Sequence, residues 1–388
     1  MKIRFNPNIA ELKPSASVEL MEKAKEMQAQ GINVISLAGG EPNFNTPAPV
    51  TYAGIRGMIN GNTHYVTSAG LLPLRKKIAE RLREKNSIQC GPEQILLTPG
   101  GKFAIYAAVR TLLCPGDEVL IPTPSWVSYN AIVQASGGIP VPVSLSYEDN
   151  YTITQEKLEE AYSPRTKLLI VNTPNNPTGR MITKNEAELL LSFAKDHNLF
   201  IISDEIYSQL VYDGRKHISL ASYPEAFQYV ITVNGFSKFA AMTGWRVGFL
   251  CGCEEIVHQI QKLYQHTITC IPGFIQDAAL EACDLKDEID KMMKEYSERR
   301  SAFIRSLNAI DGVDVRQPDG AFYAWMHCAR FQNDSVKLAN DLLEKAKVAG
   351  IPAVAFSSND PCVRFSFAAP LEDLLEAADR IHKVINTF

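Results

Sequence analysis

The chain reads as an α/β protein: a large domain with a mostly parallel sheet flanked by helices, plus a smaller α+β domain. Three observations predict it. Between about Ile95 and Leu250 short apolar runs alternate with helical segments, the pattern of a parallel sheet covered on both faces. One run, Leu168–Val171, is apolar throughout, as a strand buried on both sides requires. Beyond Asp287 a long charged helical stretch leads into signals of a different order, and 388 residues exceed what one small core serves.

Taken in order, helical periodicity marks Ala16–Gln30, closed by Gly31, and Leu74–Lys85. Strands are expected at Ile95–Thr98, Glu118–Ile121, Lys167–Val171, Leu199–Ser203, Val230–Val233 and Val247–Leu250. Helices between them fall at Phe103–Leu113, Val127–Ala135 and Asn185–His197. Then come a helix at Asp287–Asn308, strands at Ala321–Met326 and Val363–Phe367, and helices at Val336–Lys347 and Leu371–Ile385. The expected division is a large domain over 46–286 and a small one from 1–45 and 287–388, with the long helix as connector.

Hydrophobic residues make up 46% and charged residues 21%, and the formal net charge is -4 with no basic cluster. Nothing marks a nucleic-acid or anionic-membrane partner. No apolar run suits a signal peptide or a bilayer span, so a cytoplasmic location is expected. The eight cysteines are scattered without CxxC spacing and the seven histidines show no paired-ligand spacing. Small buried thiols in a reducing compartment, and no metal, are the expectation.

Open α/β sheets bind ligands beyond the carboxyl ends of their strands. Those ends carry Pro99-Gly100-Gly101-Lys102, Pro122-Thr123-Pro124-Ser125-Trp126, Asn172-Thr173-Pro174-Asn175-Asn176-Pro177-Thr178-Gly179, Asp204-Glu205 with Tyr207, and Asn234-Gly235-Phe236-Ser237-Lys238, with Arg246 eight residues later. A glycine pair opening a helix lets backbone N–H groups approach an anion, or serves the turn alone. No GxGxxG follows a strand, which counts against a dinucleotide. Lys238 precedes an uncharged run, Phe239–Trp245, and a desolvated lysine is a nucleophile able to form an imine. Asp204 either keeps a pyridinium nitrogen protonated or caps a helix. Trp126 stacks on a planar ring or fills core. Asn176 donates to a ring oxygen or serves a turn, and Arg246 holds a phosphate or pairs with a surface carboxylate.

Together these segments resemble the class I aminotransferases of fold type I, above all the bacterial aspartate and aromatic aminotransferase-like branch. The likeness spans nearly the whole chain. It runs through Ser36-Leu-Ala-Gly-Gly-Glu-Pro-Asn-Phe44, Tyr65-Val-Thr-Ser-Ala-Gly-Leu-Leu-Pro-Leu-Arg75, the Asn-Asn-Pro-Thr-Gly run, Ser203-Asp-Glu-Ile-Tyr207, Gly235-Phe-Ser-Lys-Phe-Ala-Ala-Met-Thr-Gly-Trp-Arg-Val-Gly248 and Arg364-Phe-Ser-Phe-Ala-Ala. The resemblance implies pyridoxal 5'-phosphate held as a Schiff base on Lys238, which also shuttles the proton. It implies Asp204 at the pyridine nitrogen, Tyr207 and Asn176 at the phenolic oxygen, and Trp126 stacked on the ring. Backbone groups of Gly101 and Lys102, with Ser237 and Arg246, are implied at the phosphate, with Tyr65 arriving from the other subunit of a homodimer. Gly40, Trp126, Asn176 and Arg364 are implied at the substrate, Arg364 gripping its α-carboxylate as a bidentate fork.

The expected activity is ping-pong transfer of an amino group between an L-amino acid and a 2-oxo acid. A lyase or β/γ-elimination or replacement enzyme on the same fold is the alternative. Some positions depart from the family's pattern. Gly235 stands where many relatives have a phosphate-binding serine, and Asn43 and Asn45 replace acids. Ile268-Thr-Cys-Ile-Pro-Gly-Phe274 replaces a more polar stretch, so a more apolar side-chain pocket is expected. Lys102 and Arg75 are the candidates for a second basic group.

Overall fold

The computed structural model describes residues 3–12 and 16–385. Its main sheet has seven strands in the spatial order Ile95–Thr98, Gly248–Cys251, Val230–Gly235, Phe200–Asp204, Thr166–Asn172, Glu118–Thr123 and Ile139–Ser144. Gly248–Cys251 runs antiparallel to both neighbours, and every other pair is parallel. The six expected strands are all present. The seventh, Ile139–Ser144, was not expected because its Ile-Pro-Val-Pro-Val-Ser sequence holds two prolines. It lies at the sheet edge, where a missing N–H breaks no ladder.

The apolar strands divide by parity. Leu97, Leu169, Val171 and Ile201 enter one core cluster, while Leu96, Leu168, Ile170 and Ile202 enter the other. Both faces are thus buried, as continuous hydrophobic strands require. The helices expected between strands form at Gly101–Leu112, Ser128–Ala135 and Lys184–Asp196. Helices Ala48–Ile59, Gln155–Ala161, Glu254–Thr267 and Gly273–Ala282 were not foreseen. The first contains Gly54 and Gly57, poor helix formers. Close packing demands them, since a Cβ would lie 2.8 Å from the Trp245 ring at Gly54 and 3.0 Å from the Phe274 backbone at Gly57.

Helix Asp287–Asn308 leads to a four-stranded antiparallel sheet ordered Ile351–Pro352, Cys362–Ser366, Tyr323–His327 and Asp314–Val315. Ile35–Ser36 pairs with Val348–Ala349, and Ala24, Val34 and Ala38 share a core with Trp325 and Ile351. The amino-terminal segment therefore folds onto the carboxyl-terminal sheet, and on this basis we propose the division 46–286 against 1–45 plus 287–388. The expected helix Val336–Lys347 is interrupted: Ser335–Asp341 is α-helical and Leu342–Ala346 widens into a π-turn. Among the described residues no helix is long and apolar enough to cross a membrane.

Strand pairing sets the working end of the sheet. Asn172 lies opposite Asp204, Asp204 opposite Val233, and Gly235 opposite Gly248. A Cβ at Gly235 would lie 2.9 Å from the Gly248 Cα and 3.1 Å from the Val247 carbonyl oxygen, so the serine of many relatives does not fit this backbone. Gly235→Ser is expected to cost about 1–3 kcal/mol of stability, read as a lowered urea midpoint. An unchanged midpoint would show that the strand pair yields.

Candidate active site

The strand ends converge on a cavity of about 460 Å³. Gly40, Gly101, Lys102, Trp126, Asn176, Asp204, Tyr207, Ser237, Lys238, Arg246 and Arg364 all line it. Tyr65 and the candidate Arg75 do not, and Tyr65 stands 87% exposed on this chain.

One end of the cavity is built for an anion. Gly100 adopts φ 82° and helix Gly101–Leu112 starts directly after it, with no acidic residue in its first turn and no side-chain cap. The first N–H groups of a helix lack internal partners and carry the positive end of its dipole. Gly248 lies flush beneath, where a Cβ would come within 2.8 Å of the Gly100 carbonyl carbon and the Gly101 nitrogen. Arg246, held at φ 53°, donates from Nη1 to the Thr243 carbonyl at 2.9 Å. Its Nη2 sits 2.6 Å from where a Cβ on Gly100 would project. Lys102 lies with its ammonium 4.9 Å from the Trp126 ring centroid. Burial, then Arg246, lowers its pKa.

Lys238 occupies the middle. Its Nζ donates to the Gly40 carbonyl at 2.6 Å, and burial pushes its pKa down to about 8. Near neutrality a useful fraction is therefore free amine. Asp204 is buried on the next strand, and burial pushes its carboxyl up to about 6. Tyr129 donates to its Oδ2 at 2.7 Å and the Ile206 N–H to its Oδ1 at 3.2 Å, both favouring the carboxylate. No helix follows Asp204, so the capping reading becomes a local turn. Lys238 and Asp204 feel each other's charge but form no ion pair.

The carboxyl-terminal sheet supplies the far wall. Arg364 is buried, donating from Nη1 to Asn176 Oδ1 at 2.9 Å and from Nη2 to the Ala38 carbonyl at 2.7 Å. Its Nε is buried without a partner, a donor left for a ligand. Its guanidinium lies 4.4 Å from the centroid of the Tyr323 ring, and the Tyr323 hydroxyl meets that of Tyr207 at 2.7 Å. Asn176 also takes part in the turn reading, its N–H donating to Asn172 Oδ1 at 2.8 Å.

Sequence reasoning missed Tyr129 and Tyr323. Tyr129 lies three residues after Trp126, one helical turn on, a spacing that carried the signal. Tyr323 lies on a small-domain strand, and nothing local marks it. Arg75 is excluded from the cavity: it holds the Gly70 and Pro92 carbonyls at 3.0 and 2.6 Å. The Ile268–Phe274 stretch does not line this chain's cavity either. It packs beside Asn62, whose carbonyl accepts from the Phe274 N–H at 3.0 Å.

A deep amine, a carboxylate, an anion cradle and an inward arginine define an enzyme acting on an amino acid through an anionic cofactor. Comparison with known proteins agrees. The aminotransferase class I and II family matches residues 32–381. The chain is 38% identical to an aspartate aminotransferase of Musicola paradisiaca, over 96% of this chain and 94% of that one. It is 40% identical to aromatic-amino-acid aminotransferase 2 of Thermococcus litoralis, over 92% and 93%. The structure of Thermus thermophilus aspartate aminotransferase with maleate superposes with a TM-score of 0.94 at 36% identity, covering 99% of this chain and 100% of that one. This chain belongs to the aminotransferase class I and II family. It is a pyridoxal-phosphate-dependent aminotransferase of fold type I, and the elimination alternative is not favoured.

The raised Asp204 pKa has a testable cost. Without cofactor, the folded state holds this proton more tightly than the unfolded chain does, so stability falls as pH rises from 3.8 through about 6. Asp204→Asn removes the penalty. At pH 7 the cofactor-free variant is expected to be more stable than the parent by about 1–3 kcal/mol in chemical denaturation, while binding pyridoxal phosphate more weakly. A variant destabilised at pH 7 would contradict the burial argument.

Proposed function

We propose that the enzyme moves an amino group between a dicarboxylic L-amino acid and a 2-oxo acid by a ping-pong route, as a homodimer in the cytoplasm. The residues present fit pyridoxal phosphate. The Gly100–Gly101 cradle, which a Cβ would fill, and Arg246 beside it suit a phosphate, with Ser237 buried at the same rim. Lys238 supplies the amine that attaches the cofactor, and Asp204 the carboxylate for its ring nitrogen. Trp126 supplies a stacking face, while Tyr207 and Asn176 supply donors for its ring oxygen. Bound there, the cofactor contributes an aldehyde that takes up amino groups and a ring that draws electrons from the neighbouring Cα.

The chain's own residues do the rest. Arg364, with its unpartnered Nε, grips the α-carboxylate and so sets which Cα bond faces the ring. With its pKa near 8, Lys238 released from the cofactor would be the base placed to hold the Cα proton and deliver it within the same cavity.

The observation that carries the substrate class is Lys102. Among the described residues it makes no ion pair, and it lines the same cavity as Arg364. With Arg246 at the phosphate cradle and Lys238 carrying the cofactor, Arg364 and Lys102 are the cations left for two carboxylates. Maleate in the related Thermus structure is a dicarboxylate, and several relatives are named for aspartate. Lys102→Met is expected to lower kcat/KM for aspartate about 10–100-fold, the scale of one charged hydrogen bond, and to leave an aromatic donor within about threefold. Equal losses on both donors would refute the assignment.

Dimerisation rests on an unpaired apolar face. Helix Ala48–Ile59 buries Val50, Ala53, Gly54 and Gly57 on one side, yet exposes Tyr52, Ile55 and Ile59 at 65%, 41% and 78% on the other. A helix apolar on both sides lacks a partner, and the exposed Tyr65 follows six residues after its end. The proposed partner is a second copy, with Tyr65 completing the neighbour's phosphate site. Tyr65→Phe should weaken cofactor binding several-fold in equilibrium titration, and mixing Tyr65→Ala with Lys238→Ala chains should restore activity through hybrid dimers carrying one intact site. Unchanged cofactor affinity together with no complementation would count against the shared site.

A further inference from the structure

The reading above uses Tyr207 and Arg364 and leaves Tyr323 without a part. Yet Tyr323 touches both. It opens the strand Tyr323–His327 and is 1% exposed. Its placement is tightly determined. The Ala321 N–H donates to the Leu210 carbonyl at 2.8 Å, and the Tyr212 hydroxyl donates to the Ala321 carbonyl at 2.6 Å. Gly320 bridges to Val211. The turn before Tyr323 is thus fastened to the segment just after Tyr207, and the two hydroxyls meet at 2.7 Å. A Cβ at Gly40 would come 3.0 Å from the Tyr323 hydroxyl, so the glycine that accepts from Lys238 also makes room for it.

Proton counting gives the pair a direction. A tyrosine hydroxyl has one proton to donate. If Tyr207 spends its proton on the cofactor's ring oxygen, the 2.7 Å contact is satisfied only by Tyr323 donating to Tyr207. A donor that itself accepts a hydrogen bond is polarised and donates more strongly. The charged side chains around the pair are Lys238, Asp204 and Arg364, with Glu41 further along the cavity. None of them lies within hydrogen-bonding distance of the Tyr323 hydroxyl.

We propose that the Tyr323 hydroxyl is a positioning group from the small domain that acts through Tyr207, orienting and strengthening its hydrogen bond to the cofactor's ring oxygen. This rests on the assignment of Tyr207 made above. The Tyr323 ring serves separately as the face on which the Arg364 guanidinium lies.

The test is a pH titration of the visible absorption of cofactor-loaded protein, run on Tyr323→Phe, Tyr207→Phe and the double variant. Phenylalanine keeps the ring under Arg364 and removes only the hydroxyl. Weakening the donor to the ring oxygen disfavours its ionised form, so the Tyr323→Phe midpoint should rise by about half to one pH unit, the scale of one neutral hydrogen bond. The KM for the amino acid should change less than about twofold, since the ring under Arg364 is kept. In the Tyr207→Phe background the second substitution should add nothing. Gly40→Ala, which crowds the hydroxyl without deleting it, should shift the midpoint in the same direction.

A Tyr207→Phe midpoint equal to the parent's would sink the Tyr207 assignment and this proposal with it. A shifted Tyr207→Phe beside an unshifted Tyr323→Phe would overturn this proposal alone. So would additive shifts in the double variant, or a raised KM with the midpoint unmoved, which would place the hydroxyl's effect on Arg364 instead.

Discussion

The site depends on burying an amine and a carboxylate in one cavity without letting them pair. Had Lys238 and Asp204 met in an ion pair, attraction would have held the lysine charged and taken both groups out of use. Sheet order keeps them apart. Asp204 ends one strand, while Lys238 lies three residues past the end of its parallel neighbour, Val230–Gly235. Burial then acts on each separately, pushing the lysine down to about 8 and the carboxyl up to about 6. The two values converge on the physiological range from opposite sides, so the cavity holds a base and an acceptor whose charges a ligand can settle.

The backbone around this arrangement is shaped by what must come close. Gly235, Gly248 and Gly100 stack with no room for a single methyl group. That contact brings the start of a helix, and its unpaired N–H groups, to the end of a strand from elsewhere in the sheet. The seam between the domains is made the same way, by short polar contacts. Asn176 accepts from Arg364 at 2.9 Å and Tyr207 meets Tyr323 at 2.7 Å. Groups from the two walls of the cavity are thereby bonded to one another before any ligand arrives, which lowers the ordering cost of binding.

Much of this was legible in the amino-acid sequence, for physical reasons. Strands buried on both faces read as continuous apolar runs, so six of the seven strands of the main sheet were visible, and the rim residues followed from where those runs stop. Helices Asp287–Asn308 and Leu371–Ile385 carry strong periodicity and were bounded as found. What escaped was set by tertiary contact. Ile139–Ser144 is a strand because an edge tolerates its prolines, and Ala48–Ile59 is a helix whose glycines answer to Trp245 and Phe274. Tyr323 lies 85 residues from Lys238 in sequence, and only the fold of the small domain against the large one puts its hydroxyl on Tyr207. Tyr65 was singled out by resemblance alone, and on this chain it stands exposed, away from the cavity.

The central claim is that one buried lysine carries the cofactor. The most direct measurement is to load the protein with pyridoxal phosphate, reduce it with borohydride and map the peptides by mass spectrometry. The account predicts a single stoichiometric adduct on the peptide holding Lys238. An adduct on Lys102 or spread over surface lysines, with Lys238 unmodified, would contradict it.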